Sequence, residues 1–319
     1  MVALSVQIEI AGGLSWERWK RIVPLVDRLG YRGLYVCDHF LPGGEGYADS
    51  VEINLAFTYL AVTSPRLEFG SLVAPVSFRD PVFLVRQAMH LDNLSGGRMV
   101  LGVGAGWMER EHRAFGYELG DRKTRMDRLA EALAVISLLA RHEEPVSYEG
   151  KFYRLDQAKI LPRAARPNGP RIMVGGAGRQ RTLPLTARYA DVWNTGGGAG
   201  PDGYKEASTR LDELLVKRGR QPSDVRRTLM AQVIPFRNDA ELEQRMRHQA
   251  SEPGTSPKEL LASIRQRSPH AITGSPAECV ERIGAFERVG VDEIMVQRMD
   301  LDDDEGLQLI AEEVMPQVG

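Results

Sequence analysis

Residues 169–197 read GPRIMVGGAGRQRTLPLTARYADVWNTGG. Arg171-Ile172-Met173-Val174 is a short apolar run with β-branched residues, and it stops abruptly at Gly175-Gly176-Ala177-Gly178, the pattern of a buried strand entering a glycine loop. The period then changes: Leu183, Leu185, Ala187 and Ala190 recur among Arg179, Arg181 and Arg188 as on a helix, before a second strand at Asp191-Val192-Trp193-Asn194. The stretch is one β-loop-helix-β unit. Glycines at a strand's carboxyl end let backbone N–H groups converge on a ligand, and the helix that follows adds the positive end of its dipole. Gly175, Gly176, Ala177 and Gly178, with Arg179 beside them, therefore form a candidate phosphate cradle. The plainer reading, a tight strand-to-helix turn, stays open, since no Walker-type Gly-Lys-Ser/Thr follows.

Outward from this unit the same rhythm repeats. Ala3 to Ile10 alternates as a strand and leads to a helix capped by Ser15; Gly33 to Val36 ends in Cys37-Asp38-His39-Phe40; Leu67 to Pro75 ends in small residues. Met99 to Gly106 is a fourth strand, followed by about fifteen polar residues and a helix from Thr124 to His142. Thr228 to Ile234 and Asp292 to Val296 supply the seventh and eighth strands, and a helix from Gly306 to Met315 ends the pattern. Two segments interrupt it: about 145–170, with a hairpin around Glu149-Gly150 and a proline-rich connector, and about 238–273, charged and helical. Eight βα units predict an α/β fold, a single (β/α)8 TIM-barrel domain over residues 1–319 with two insertions.

Composition narrows the function. With 319 residues and 43% hydrophobic content the chain can bury a large core, and a net charge of −2 gives no electrostatic footprint for nucleic acid or an anionic membrane. Two cysteines, Cys37 and Cys279, are too few for a disulfide framework. No 18-residue apolar run and no leader pattern is found, so the expectation is a cytoplasmic protein. The histidines at 39, 90, 112, 142, 248 and 270 form no His-x-His or His-Glu-x-x-His pair, so no metal site is expected; His112 and His142 read as solvent-exposed.

In a TIM barrel functional groups gather where strands end. That rule selects Asp38-His39, Ser71-Leu72, Gly104 to Trp107, Gly175 to Gly178 and Asn194-Thr195. His39 titrates near neutrality and a neighbouring carboxylate, here Asp38, can orient it for proton transfer, although a structural histidine is the alternative. Trp107 offers a flat face to a planar ring, or merely plugs the mouth. Gly102-x-Gly104-x-Gly106 is not a dinucleotide fingerprint, because the third glycine would fall on Trp107 and no helix opens there. The Asp300 to Asp304 run reads as a solvated helix entry.

Cys37-Asp38-His39-Phe40, Gly70-Ser71-Leu72-Val73, the run Ser95 to Trp107 and Gly175 to Gly178 together resemble the luciferase-like monooxygenase superfamily, most closely its coenzyme F420-dependent branch. The resemblance spans essentially the whole chain. It implies a barrel of bacterial-luciferase type, with a flavin or deazaflavin ring in the mouth and its phosphate at Gly175 to Gly178. It also implies ring contacts from Ser71, Leu72, Ala74, Gly106 and Trp107, a cofactor contact from Asp38, a proton donor at His39, a non-prolyl cis bond at Ser71-Leu72, and a homodimer. Arg179, Arg181, Lys159 and Arg163 would offer the deazaflavin's acidic tail a basic path, and Asn194 and Thr195 would meet a small-molecule substrate. The sugar-phosphate dehydrogenases of this branch place a glutamate where this chain has Trp107. Hydride transfer with coenzyme F420 is the first reading, FMN-dependent monooxygenation the second, and a non-catalytic flavin-binding barrel the third.

Overall fold

Strands buried on both faces must be apolar along their whole length, and four-residue runs such as Gly33–Val36 have no exposed position to spare. The computed structural model describes residues 1–9, 12–246 and 256–318. In it eight parallel strands pair side by side: β1 (Ala3–Ile8), β2 (Gly33–Val36), β3 (Glu68–Ser71), β4 (Met99–Gly104), β5 (Arg171–Gly175), β6 (Val192–Gly196), β7 (Arg226–Ala231) and β8 (Glu293–Arg298). β1 pairs with both β2 and β8, and β3 pairs with β4, so the sheet closes on itself into a TIM barrel. Tyr35, Leu72, Val100, Met173, Val192 and Met295 fill the barrel interior. A larger apolar layer lies between the strands and the surrounding helices.

Helix starts follow their caps. Ser15, Asp80 and Ser275 accept backbone N–H groups at the openings of Trp16–Arg28, Pro81–Leu94 and Pro276–Glu287. The long helix of the fourth unit begins at Arg122, two residues before the sequence reading puts it, because Asp121 caps it through Thr124 N at 2.7 Å. The polar stretch after β4 is not all loop: Glu109–Phe115 is a helix, closed by Gly116 in the left-handed region at φ 75°. β7 stops at Ala231 rather than Ile234; Val233–Pro235 leaves the barrel to pair with Ile272–Gly274. The final helix starts earlier, at Asp304, and passes through a π turn at Ile310–Val314.

The segment at 145–170 carries the expected hairpin, Val146–Glu149 against Arg154–Ala158. The segment at 238–273 holds helices Asp239–Met246 and Pro257–Arg267, while residues 247–255 and His248 within them lie outside the described residues. The aspartate run is not simply solvated. Asp300 is buried, Asp303 caps its helix and pairs with Arg245 at 2.8 Å, and Asp302 pairs with Arg21 at 2.9 Å.

β3 and β4 pass unusually close. A Cβ at Gly70 would overlap the Val100 carbonyl oxygen, and one at Gly102 would overlap the Ser71 carbonyl oxygen. Gly102→Ala should therefore destabilise the fold by roughly 3 kcal/mol through overpacking against backbone that cannot yield. Urea unfolding of the variant checks this; a midpoint equal to the parent's would show that the strands part without penalty.

Candidate functional site

His39 follows the end of β2 and is held by a carboxylate from outside the barrel. Its Nδ1 lies 3.0 Å from Glu111 Oε1, on the short helix Glu109–Phe115, while Glu111 Oε2 accepts the Phe40 N–H at 3.0 Å. Phe40 stacks on Phe115 with centroids 4.5 Å apart, so apolar contact docks the helix that carries the acid. With Nδ1–H donated to Glu111, Nε2 has no protein hydrogen-bond partner among the described residues and is the nitrogen left for a ligand. Burial works against the imidazolium, but the bond and charge of Glu111, with Glu9 and Asp38 behind them, outweigh it and raise the His39 pKa above its ordinary value.

Asp38 does not orient His39. Arg79 grips both its oxygens, at 2.8 Å each, and also reaches Glu52 at 2.8 Å. Burial raises the Asp38 pKa while Arg79 opposes that, and Arg79 itself is held charged by its two acids. The pair ties the β2 loop to the segment after β3.

The segment after β3 departs from the sequence reading by one residue. The non-prolyl cis bond is Leu72-Val73, not Ser71-Leu72. Ser71 is buried, its Oγ donating to the Gly102 carbonyl at 2.8 Å; Leu72 joins the barrel interior; and Val73 packs toward positions 104 and 175, where glycines leave it room. Ala74 is fully buried in the layer between strands and helices, so it is not placed to touch a ring in the mouth.

Gly106 has φ 80°, and a Cβ there would strike Ser77 Oγ. Trp107 follows it, 62% exposed, edge-on to His39 at 5.6 Å. His112 is buried rather than exposed: its two nitrogens lie 2.7 Å from Met108 O and 2.7 Å from Ser77 Oγ, and so brace this turn. In the glycine loop, Gly176 has φ 108° but spends its N–H on the Asn194 carbonyl at 2.8 Å, which removes it from the donors a phosphate could use. Ala177, Gly178 and Arg179 are exposed. Asn194 is buried and donates to Thr228 Oγ1 at 2.9 Å, clamping three strands, and Thr195 lies half-buried above it. Of the basic path, Arg179 pairs with Glu206 at 3.0 Å and Arg181 pairs with Asp127. Arg163 instead donates to the Leu139 and Ala140 carbonyls, and leaves that path.

The sequence profile described as Luciferase-like monooxygenase matches residues 2–293. The chain belongs to the luciferase-like monooxygenase family. A curated relative from Intrasporangium calvum, an F420-dependent glucose-6-phosphate dehydrogenase, is 27% identical over 317 residues, 91% of each chain. A 4-hydroxyprotoasukamycin monooxygenase from Streptomyces nodosus subsp. asukaensis is 30% identical over 177 residues, covering 56% of this chain and 46% of that protein, so less than half of that relative's length is matched. Among solved structures, an F420-dependent secondary alcohol dehydrogenase in complex with an F420-acetone adduct superposes over 100% of this chain and 99% of its own with a TM-score of 0.84 at 18% identity, which shows the shared fold. Membership makes the chain an oxidoreductase, in line with a barrel mouth whose floor is apolar and beside which Glu111 holds His39.

Sequence reasoning missed Glu111, Arg79, and Glu9, which accepts from Gln297 Nε2 at 2.8 Å at the end of β8. Among the described residues no group of three or more His, Cys, Asp or Glu could hold a metal, and no helix is long and apolar enough to cross a membrane.

Because Glu111 stabilises the charged ring, its contribution is full below the unfolded-state His pKa of about 6.5 and is lost as pH rises through the raised folded value. Glu111→Gln should lower the His39 midpoint in an NMR titration and weaken the fold by roughly 1.5–3 kcal/mol at acid pH, with the difference narrowing at alkaline pH. An unchanged or higher midpoint would break the assigned pairing.

Proposed function

We propose that the protein moves a hydride between coenzyme F420 and a small uncharged organic molecule, with His39 exchanging the accompanying proton through Nε2. The observation that carries this reading is the His39–Glu111 pair: an imidazole fixed at one nitrogen, biased toward its charged form and free at the other, is built to donate a proton to a substrate oxygen or take one back. The residues present fit a planar redox group. Gly104 and Gly175 leave the mouth open around Val73, Leu72 and Met173 give it an apolar floor, and Trp107 offers an exposed face. Ala177, Gly178 and Arg179 would hold the phosphate, with Gly176 shaping the loop rather than donating to it. When bound, the ring would supply the hydride-accepting or hydride-donating carbon; the protein orients it, excludes water and holds the proton at His39.

A cavity of about 190 Å³ at the ends of β6, β7 and β8 is lined by Gly196, Met230, Gln232, His270 and Gln297, with no lysine or arginine among its described residues. That lining suits a small neutral alcohol or carbonyl compound and not a sugar phosphate, the substrate class in the name of the Intrasporangium relative. Thr195 directly precedes Gly196 of that lining, and Asn194 lies buried one residue before it. The near full-length match to an F420 enzyme favours the deazaflavin. The pairing of Arg179 and Arg181 with acids, and the turning away of Arg163, leave little basic surface for an oligoglutamate tail and favour FMN monooxygenation as the second reading.

Titrating the apo-protein with each cofactor at low and high ionic strength, by ring fluorescence, decides between them. F420 should bind more tightly, and its advantage should shrink with salt as the tail contacts are screened. Tighter FMN binding would transfer the assignment. His39→Asn should retain cofactor affinity and lose about 100-fold or more in turnover; unchanged turnover would leave a cofactor-binding barrel without chemistry at this residue.

Homodimer formation belongs to the same reading. Leu55 and Val62 on Ile53–Thr63, and Phe83 and Leu94 on Pro81–Leu94, are 59%, 67%, 63% and 52% exposed on adjacent helices, a face that a second copy would cover. Leu55→Glu with Val62→Glu should shift the elution volume in size-exclusion chromatography from dimer to monomer. A parent that already elutes as a monomer overturns this part. Two free buried cysteines suit the reducing cytoplasm where such an enzyme would act.

A further inference from the structure

At the opposite end of the barrel from the mouth, four guanidinium groups gather around one carboxylate. Arg226, opening β7, donates from Nη1 to Glu68 Oε2 at 2.7 Å, and Arg171, opening β5, donates to Glu68 Oε1. Arg32 approaches Glu68 at 3.5 Å and Arg166 approaches it at 3.9 Å. The second acid, Glu293, is fully buried, lies 3.3 Å from Arg226 Nε and 3.7 Å from Arg32 Nε, and accepts from the Ser5 hydroxyl. The cavity that these arginines line, about 450 Å³, also exposes Asp191 and Asp224, but each has its own arginine outside the set, Arg141 at 3.1 Å and Arg220 at 3.9 Å.

Arg166 also lies 3.7 Å from the buried Asp92, so the set is unbalanced by one: with Glu68, Glu293 and Asp92 ionised, one of the four guanidinium charges remains over. Arg32 and Arg171 are each 41% exposed at the side chain and give one nitrogen apiece to the acids, so their other N–H groups have no protein partner among the described residues. Burial lowers the Arg166 pKa, with repulsion from Arg171 and Arg226 set against attraction from Asp92 and Glu68. An ionic network at the amino face of a TIM barrel ordinarily serves stability. Excess like charge in a cavity works against stability and instead draws in a counter-ion.

We propose that this cavity is an anion site for a phosphate group, borne by inorganic phosphate or by a small phosphomonoester, separate from the glycine loop at the other end of the barrel. Guanidinium forks match pairs of phosphate oxygens, and a cavity of this size falls in the range that small ligands occupy. Asn168 and Ser223 on its wall supply neutral hydrogen-bonding groups for the organic part.

Isothermal titration calorimetry of the full chain at fixed ionic strength tests this, with inorganic phosphate and phenyl phosphate as probes. The parent should bind; Arg179→Gln should remove only the component of the heat that belongs to the glycine loop and leave the remainder, and the double variant Arg32→Gln, Arg171→Gln should lower the affinity of that remainder by at least about tenfold. Its thermal midpoint in phosphate-free chloride buffer should stay close to the parent's, since each arginine gives up only a partly exposed ion pair with Glu68. Arg171→Lys, which keeps the charge but not the fork, should fall between. Equal affinity for the two probes assigns inorganic phosphate, and tighter binding of phenyl phosphate assigns a phosphomonoester. No heat in the parent, undiminished binding in the double variant, or binding that only Arg179→Gln abolishes would each overturn the site.

Discussion

Past Ser71 the chain crosses the barrel mouth through space that two neighbouring strands leave empty. A side chain at Gly102 would collide with the Ser71 carbonyl, one at Gly104 would collide with Val73, and one at Gly175 would press on Val73 from the other side at 3.2 Å. Close-packed interiors do not absorb such additions, so these absences fix where the segment after β3 can run. Everything at the mouth is placed by that path. Leu72 turns down into the barrel, Val73 stands between β4 and β5, and Arg79, a few residues on, reaches back to Asp38 and pins the loop that carries His39.

The polar chemistry then separates by pairing. His39 makes a single bond to the buried Glu111, and a charged imidazole remains affordable because its carboxylate sits at 3.0 Å. Asp38 and Arg79 satisfy each other through two bonds, which fits a brace and not a titrating group. At the far end of the barrel the arrangement is reversed: cations outnumber the acids they surround, and the surplus lies at the surface of a cavity. The two ends thus differ in kind, an acid-supported histidine at one and a surplus guanidinium charge at the other.

Much of this was legible in the chain. The βα rhythm, broken only by the hairpin segment and the charged segment near the end, determined the closed parallel barrel, because short runs apolar on every residue can be buried only inside such a sheet. It also placed His39, Trp107 and the glycine loop at strand ends, and the resemblance of Cys37 to Phe40 and Ser95 to Trp107 to the luciferase-like enzymes pointed to the family that the whole-chain match shows. The one-residue error at Ser71-Leu72 has a plain cause: small residues on both sides announce a tight passage but not which bond turns.

What only the tertiary structure decided is which groups touch. Glu111 lies 72 residues from His39 on a seven-residue helix too short to show periodicity, so the chain alone points to the adjacent Asp38 as the partner, which the fold gives to Arg79 instead. Nothing local says that Ser77 and Met108 will enclose His112, so the sequence by itself points to exposure. The arginines at 32, 166, 171 and 226 are scattered over nearly two hundred residues and look like ordinary solvated charges, until barrel closure brings the starts of β2, β5 and β7 around Glu68. Local sequence fixes which elements form, since periodicity and caps act over a few residues. Pairings across the barrel depend on closure, and closure is a property of all eight strands together.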